Sequence, residues 1–295
     1  MITVNIIGGL GNQMFQYAFG YAISKENKVM LKLDKSGFDA YKLRGYELSL
    51  FSIEENSDLK PAYNFLLNQL NGKNNTPLIK IFRKILRWFL KFTKFYYQEK
   101  KEFVFDKDVF NCKIDTYFHG YWQNEKYFKK FRKELLEIFM LKNIHSKTIE
   151  YQQQIFNSEA VSLHIRRGDY VTDTYTNSVH GTCDVSYYKR AALEVLKNMK
   201  QAKFFIFSDD LEWAKSNLDF IDNKTFVRLG SDVPDHEEMY LMSKCKHNII
   251  ANSSFSWWGA WMNQNSRKIV IAPKKWLKSS KTNQSQIVPH DWIKI

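Results

Sequence analysis

Cysteine is scarce in this chain, with three in 295 residues: Cys112, Cys183 and Cys245. They are odd in number and far apart, which excludes a disulfide framework and predicts free thiols in a reducing cytosol. No CxxC or HExxH spacing occurs, so no standard metal-ligand motif is available. No apolar run approaches the ~20 residues of a membrane-spanning helix. Met1 leads straight into a short strand and a glycine turn, so no signal peptide is expected. Triplets such as Asn74-Asn75-Thr76 then carry no glycosylation meaning. There is no internal repeat and no low-complexity linker. Acidic residues are outnumbered, with 31 Asp and Glu against 44 Lys and Arg, a net charge of +13. Such a balance points to anionic partners: nucleic acid, a membrane surface or nucleotide-type substrates. No nucleic-acid-binding module is recognisable. Basic residues interleave with aromatics in one segment only, so nucleic acid is not an expected partner.

What is present is a composition able to build a core, 44% apolar and 16% aromatic. The length suits one large domain or two ordinary ones. Residues 2–7 read as a strand, Gly8-Gly9-Leu10-Gly11 as a turn, 12–25 as a helix and 28–33 as a second strand. This opening predicts a parallel sheet. A strand at 117–122 and a helix at 125–139 follow. A second series has strands at 160–165, 204–207, 226–229, 248–251 and 269–272. Its helices are expected at 184–199, 235–245 and 254–263, with Asp184 and Asp235 as N-caps. The pattern predicts an α/β protein of two Rossmann-like domains facing a cleft, 1–155 and 156–295.

Residues 71–101 look like an insertion. Asn71 to Pro77 reads as a loop. Beyond it Lys80, Arg83, Lys84, Arg87, Lys91 and Lys94 recur at helical spacing. Ile81, Phe82, Ile85, Trp88, Phe89, Phe92 and Phe95 take the other side. The segment at 80–95 is either a surface helix docked on its own core or an interfacial helix on anionic lipid.

Four strand ends carry candidate chemistry. Gly8-Gly9-Leu10-Gly11-Asn12 joins a strand to a helix, where glycines let backbone amides approach a ligand. It is neither a P-loop nor a complete dinucleotide fingerprint. Ala160 to Ile165 reads as a buried strand ending in Arg166, Arg167, Gly168 and Asp169. Ligands of open α/β sheets bind beyond the carboxyl ends of such strands. Two guanidiniums there suit a phosphate or pyrophosphate, and Asp169 is an alternative internal counter-ion. Strand alternation sets His164 and Arg166 on one face, so the two arginines cannot point the same way. After the strand at 204–207, Asp209 suits a ligand and Asp210 an N-cap. Ser253 and Ser254 open a helix whose free amides favour phosphate. Trp257, Trp258 and Trp261 read as core.

Gly8-Gly9-Leu10-Gly11-Asn12-Gln13, His164-Ile165-Arg166-Arg167-Gly168-Asp169-Tyr170, Ser208-Asp209-Asp210 and Asn252-Ser253-Ser254-Phe255-Ser256-Trp257-Trp258-Gly259 closely resemble the motifs of the bacterial α-1,2-fucosyltransferase family. The resemblance runs from residue 7 to about 273 and leaves 71–101 outside. It implies a GT-B-type fold, GDP-fucose as donor, inversion at the anomeric carbon, and no cofactor or required metal. It further implies a galactose-containing glycan acceptor attacked through its 2-hydroxyl, as in members that build O-antigen or other surface polysaccharide. The expected setting is cytoplasmic, peripheral on the inner membrane. On this resemblance the phosphate-binding arginine falls on Arg166 or Arg167. His164 lies close to the nucleotide, and Ser253, Ser254 and Phe255 lie around phosphates and base. Gly11 and Asn12 form the glycine turn.

No Asp-x-Asp stands at a strand end, and arginine with helix-terminus amides offers the charge stabilisation a metal would otherwise give. Asp169 and Asp173 are candidates to take the acceptor's proton. A different GDP-sugar transferase, or another fucosyl linkage, is the competing reading.

Overall fold

The computed structural model describes residues 1–39, 45–53, 76–92, 95–112, 115–278 and 284–295. The chain divides into two compact units, Met1–Met140 and Leu141–Ile295. The division lies ahead of the expected break at 155. The reason is an unpredicted helix, Ser146–Phe156, whose Ile155 is buried among Phe205, Phe207, Leu241 and Met242 of the second unit.

The first unit holds β1 (Ile2–Asn5), β2 (Leu31–Asp34), β3 (Tyr96–Gln98) and β4 (Tyr117–His119), in the order β2-β1-β4-β3. Every pairing is parallel. Between β1 and β2 the helix Leu10–Asn27 buries Met14, Phe15, Ala18, Phe19 and Ala22. That helix starts earlier than predicted, so Leu10 and Gly11 belong to its first turn, with Gly9 at the cap. It ends where Lys28 turns left-handed at φ 53°. The segment expected as an insertion contains β3, which completes the sheet edge against β4. Its loop at 71–75 lies outside the described residues. The predicted strand at 117–122 stops at His119, because the chain turns sharply and Trp122 takes φ 57°. Trp122 is fully buried and stacks on Phe19 at 4.1 Å. The predicted helix at 125–139 is broken. Phe128 leaves helical geometry, giving two 3-10 turns and the short helix Arg132–Ile138.

The second unit holds β5 (Glu159–Ile165), β6 (Ala202–Ser208), β7 (Lys224–Phe226), β8 (His247–Ile249), β9 (Val270–Ala272) and β10 (Ile293–Lys294), in the order β10-β9-β8-β5-β6-β7. All of its pairings are parallel as well. β5 is central and buried from Ala160 to Ile165. Alternation splits its side chains between two cores. Val161, Leu163 and Ile165 join Tyr187, Tyr188, Ala191 and Val195 of the helix Val185–Asn198. Ala160 joins Phe205, Phe207, Leu241 and Met242 on the other face. Each large side chain so buried contributes ~1.5–3 kcal/mol. Trp257 and Trp258 are fully buried and Trp261 nearly so, which is the core role expected. Asp184 caps its helix by accepting from the Tyr187 amide at 2.7 Å. Asp235 stands at the cap position of His236–Lys244, but its side chain makes no capping bond. The cysteines are free, as expected, with Cys245 buried.

Candidate active site

The site of the second unit grows from the carboxyl end of β5. The sheet carries the chain to Ile165, and Arg166 and Arg167 leave it in opposite directions, as alternation requires. Arg166 lies on the His164 side. Its Nη2 donates to Asp169 Oδ1 at 2.5 Å and its Nη1 lies 3.0 Å from Asp209 Oδ2. Its guanidinium sits over the Tyr170 ring at 5.3 Å. Tyr170 in turn stacks on His180 at 4.8 Å. Arg167 turns the other way. Its Nε donates to Asp210 Oδ2 at 3.1 Å, and its guanidinium covers Trp213 at 4.2 Å. Each arginine therefore has a carboxylate counter-ion, and Arg166 is the one tied to Asp169. Direction separates them: Arg166 is the charge shared by His164, Tyr170 and His180.

Asp209 is the hub. Besides Arg166 it accepts from the Arg167 amide at 2.8 Å. This closeness depends on Gly168, where an added Cβ would fall 2.7 Å from Asp209 Oδ2. Asp210 caps the helix Leu211–Asn217, accepting from the Trp213 amide at 3.1 Å, which is the role expected of it. Asp173 is exposed and caps the helix Thr174–Val179. The Thr176 backbone amide it accepts from holds its carboxyl below the usual range. That is the reverse of what a general base needs.

His164 is buried, and its Nδ1 has no partner. Burial, helped by the charge of Arg166, pushes it down to about 3, so it is neutral. A buried polar atom left without a partner costs ~1–3 kcal/mol. His164 faces Phe255 at 5.9 Å. That phenylalanine opens the helix Ser254–Met262, where the Ser253 hydroxyl accepts from the Phe255 amide at 3.3 Å. Ser253 thus has the capping role, and Ser254 beside it is half-buried. Asn252 holds the approach by donating to the carbonyls of His180, Gly181 and Trp276.

The sequence reading missed Glu238. Burial, then the charges of Asp235 and Asp209, raise its half-buried carboxyl to about 8. Its neighbour Glu237 is a structural clamp that accepts from the His145 amide at 3.0 Å. In the run Asp235-His236-Glu237-Glu238 both glutamates read as ordinary first-turn acids. Tyr170, quoted in the motif without a role, lies in the helix Gly168–Thr172, and His180, which ends the helix Thr174–Val179, was missed because a single aromatic residue gives no periodic signal.

The His164 shift carries a stability prediction. The unfolded chain binds this proton below about 6.5, while the folded chain refuses it until about 3. Stability is therefore complete above pH 6.5 and falls as pH drops toward 3, at ~1.4 kcal/mol per pH unit for this group. His180, His236 and His247 are lowered by burial too and add to the same trend. Urea midpoints measured across this window should fall less steeply in His164→Asn than in the wild type. An unchanged slope would show that His164 already carries its proton when folded.

In the first unit Gly8 takes φ +80°, and an added Cβ would meet Asn12 Nδ2 at 2.7 Å. Gln123 Nε2 donates to Asn12 Oδ1 at 2.7 Å and fixes that amide with its Nδ2 toward Gly8. Gly11 is buried in the first helical turn. His164, Arg166, Arg167, Asp169, Asp209 and the Ser253 turn gather in the second unit. Asn12 and Gly11 belong to the strand end of the first.

Two parallel Rossmann-like units with polar groups at their strand ends define a GT-B-type glycosyltransferase. The chain belongs to glycosyl transferase family 11, whose sequence pattern it matches over residues 1–295. The match includes 71–101, which the resemblance had left outside. An Escherichia coli protein named alpha-1,2-colitosyltransferase is 36% identical over 310 residues, covering 100% of this chain and 99% of that one. The E. coli O-antigen biosynthesis glycosyltransferase WbnK is 32% identical over 306 residues, covering 98% of both. Among solved structures, a mutant of Arabidopsis thaliana FUT1 in complex with GDP aligns with TM-score 0.51 at 11% identity. The alignment covers 91% of this chain and 69% of that one, and the likeness is one of fold. Among the described residues no helix is long and apolar enough to cross a membrane.

Proposed function

We propose that the protein transfers L-fucose from GDP-fucose to the 2-hydroxyl of a galactose in a surface-polysaccharide acceptor, with inversion and without a metal. One observation carries this reading: the full-length match to a family of glycosyltransferases, with a doubled arginine at the end of its central strand. The acceptor oxygen bonds to the anomeric carbon as the bond to the β-phosphate oxygen breaks. The electron pair of that bond goes to the phosphate, and the acceptor proton goes to a base.

In this reading Arg166 meets the charge that grows on the diphosphate. A guanidinium has five N–H donors, more than Asp169 and Asp209 absorb. The free amides opening the helix Ser254–Met262 add partial positive charge. Asp169, Asp209 and Asp210 are already paired with arginine, which favours cationic side chains over a divalent ion as the neutralising charge. For the base, Asp173 is disfavoured by its capping bond. Asp169 and Glu238 remain, and burial raises the Glu238 carboxyl to about 8.

The 36% identical colitosyltransferase supports a second reading, in which the same site takes a colitosyl donor. The α-1,2 linkage in that protein's name agrees with the regiochemistry proposed. In either case the enzyme works on the cytoplasmic side, at a membrane. The test is GDP release with each nucleotide sugar, a set of β-galactosides, and EDTA. Release with GDP-fucose and a galactoside, undiminished by EDTA, is the expected outcome. Release with the colitosyl donor alone would move the assignment to colitose. No release with any galactoside would end the acceptor claim, and loss on chelation would end metal independence.

A further inference from the structure

The helix Pro77–Phe92 belongs to none of the strand-end motifs. Its Leu78, Ile81, Phe82, Ile85 and Trp88 are 80, 56, 52, 60 and 68% exposed. Steps of three and four residues set these side chains in one stripe, roughly a third of the helix circumference. Ile79 and Leu86 fall outside the stripe and are only half-exposed, and the helix contacts β3. The helix therefore rests on its unit by one side and turns its most apolar side outward. Five large apolar side chains in a row form the kind of contiguous patch that marks an interaction site, unlike singly scattered ones.

The chemistry of the patch selects its partner. Lys80 and Arg83 lie across the helix from the stripe, Lys84 flanks it beside Trp88, and no Asp or Glu occurs between Pro77 and Phe92. The helix N-terminus, with no acid in its first turn, adds further positive character. At 16 residues the helix cannot span a bilayer. We propose that it lies along the surface of an anionic lipid bilayer, with the apolar stripe among the upper acyl chains and the cations among the headgroups. Lysine and arginine reach headgroups from the polar side by extending their stems. Trp88, at the edge of the stripe, suits the boundary. A second copy of the chain fits less well. Pairing stripe to stripe would bring two cationic helices together with no acidic residue to match them. The inference does not depend on which sugar is transferred.

The test uses the full chain with vesicles of pure phosphatidylcholine and vesicles enriched in phosphatidylglycerol. Sedimentation with the anionic vesicles, weakened by salt, is expected. The double variant Ile81→Asp, Ile85→Asp should lower partitioning to both vesicle types. Lys80→Glu, Lys84→Glu should lower it roughly tenfold or more on anionic vesicles only. GDP binding should be unchanged in both variants, which separates this result from any failure of the donor assignment. The proposal is overturned if the wild type ignores anionic vesicles, or if the aspartate variant binds them equally well. It is also overturned if the aspartates abolish a concentration-dependent dimer in a protein that never binds lipid.

Discussion

Arg166→Ala should lower turnover by ~10²–10³ while the protein stays folded, since removing one donor to a developing oxyanion typically costs that much. The expectation rests on where the side chain goes. Arg166 lies over Tyr170, between Asp169 and Asp209, and its charge reaches His164 and His180. Arg167 lies against Trp213 and Asp210, so Arg167→Ala should cost less turnover and more stability. Arg166→Lys keeps the charge but loses the planar fork, and should recover only part of the rate. Steady-state GDP release and thermal melts on the three variants check this. Equal turnover in Arg166→Ala and wild type would confine Arg166 to a structural role.

Gly168→Ala should have the second-largest effect, although it touches no substrate. Gly168 opens the short helix Gly168–Thr172, a setting that tolerates alanine. Space is the obstacle, because the new methyl would stand 2.7 Å from Asp209 Oδ2. Asp209 holds both the Arg166 side chain and the Arg167 amide, so it cannot yield without moving them. A displacement approaching 1 Å at a reacting centre can cost ~10²-fold. The variant should therefore lose turnover at least tenfold with a melting temperature close to wild type. Wild-type turnover would mean that Asp209 moves without carrying the arginines along.

These contacts also mark how far the sequence could be read. β5 was legible because six consecutive buried residues leave few alternatives to a covered parallel strand, and the helix caps at Asp184 and Asp210 follow from side-chain chemistry. The helix Ser146–Phe156 was not, since its cap is His145, whose Nδ1 accepts from the Lys147 amide, an unusual capping residue. β3 has three residues and no run long enough to show a period. The helix expected at 125–139 failed because Phe128, an ordinary helix residue by composition, is pulled out of helical geometry by burial. In the site, residue types at strand ends were readable. Their pairing was readable only for Asp169, close by along the chain; Asp209 and Asp210 follow another strand, and only the register of β5 against β6 brings them alongside the arginines.

The link between Arg166 and Asp169 has a kinetic side. Asp169 is the more exposed partner, at 45% against 22% for Arg166, and it is only three residues away along the chain. It is therefore a tethered competitor for the arginine, present at high effective concentration in every turnover. If Arg166 holds the diphosphate as proposed, this carboxylate would take back the guanidinium when the nucleotide departs. Such an arrangement would trade tightness toward the product for speed of release.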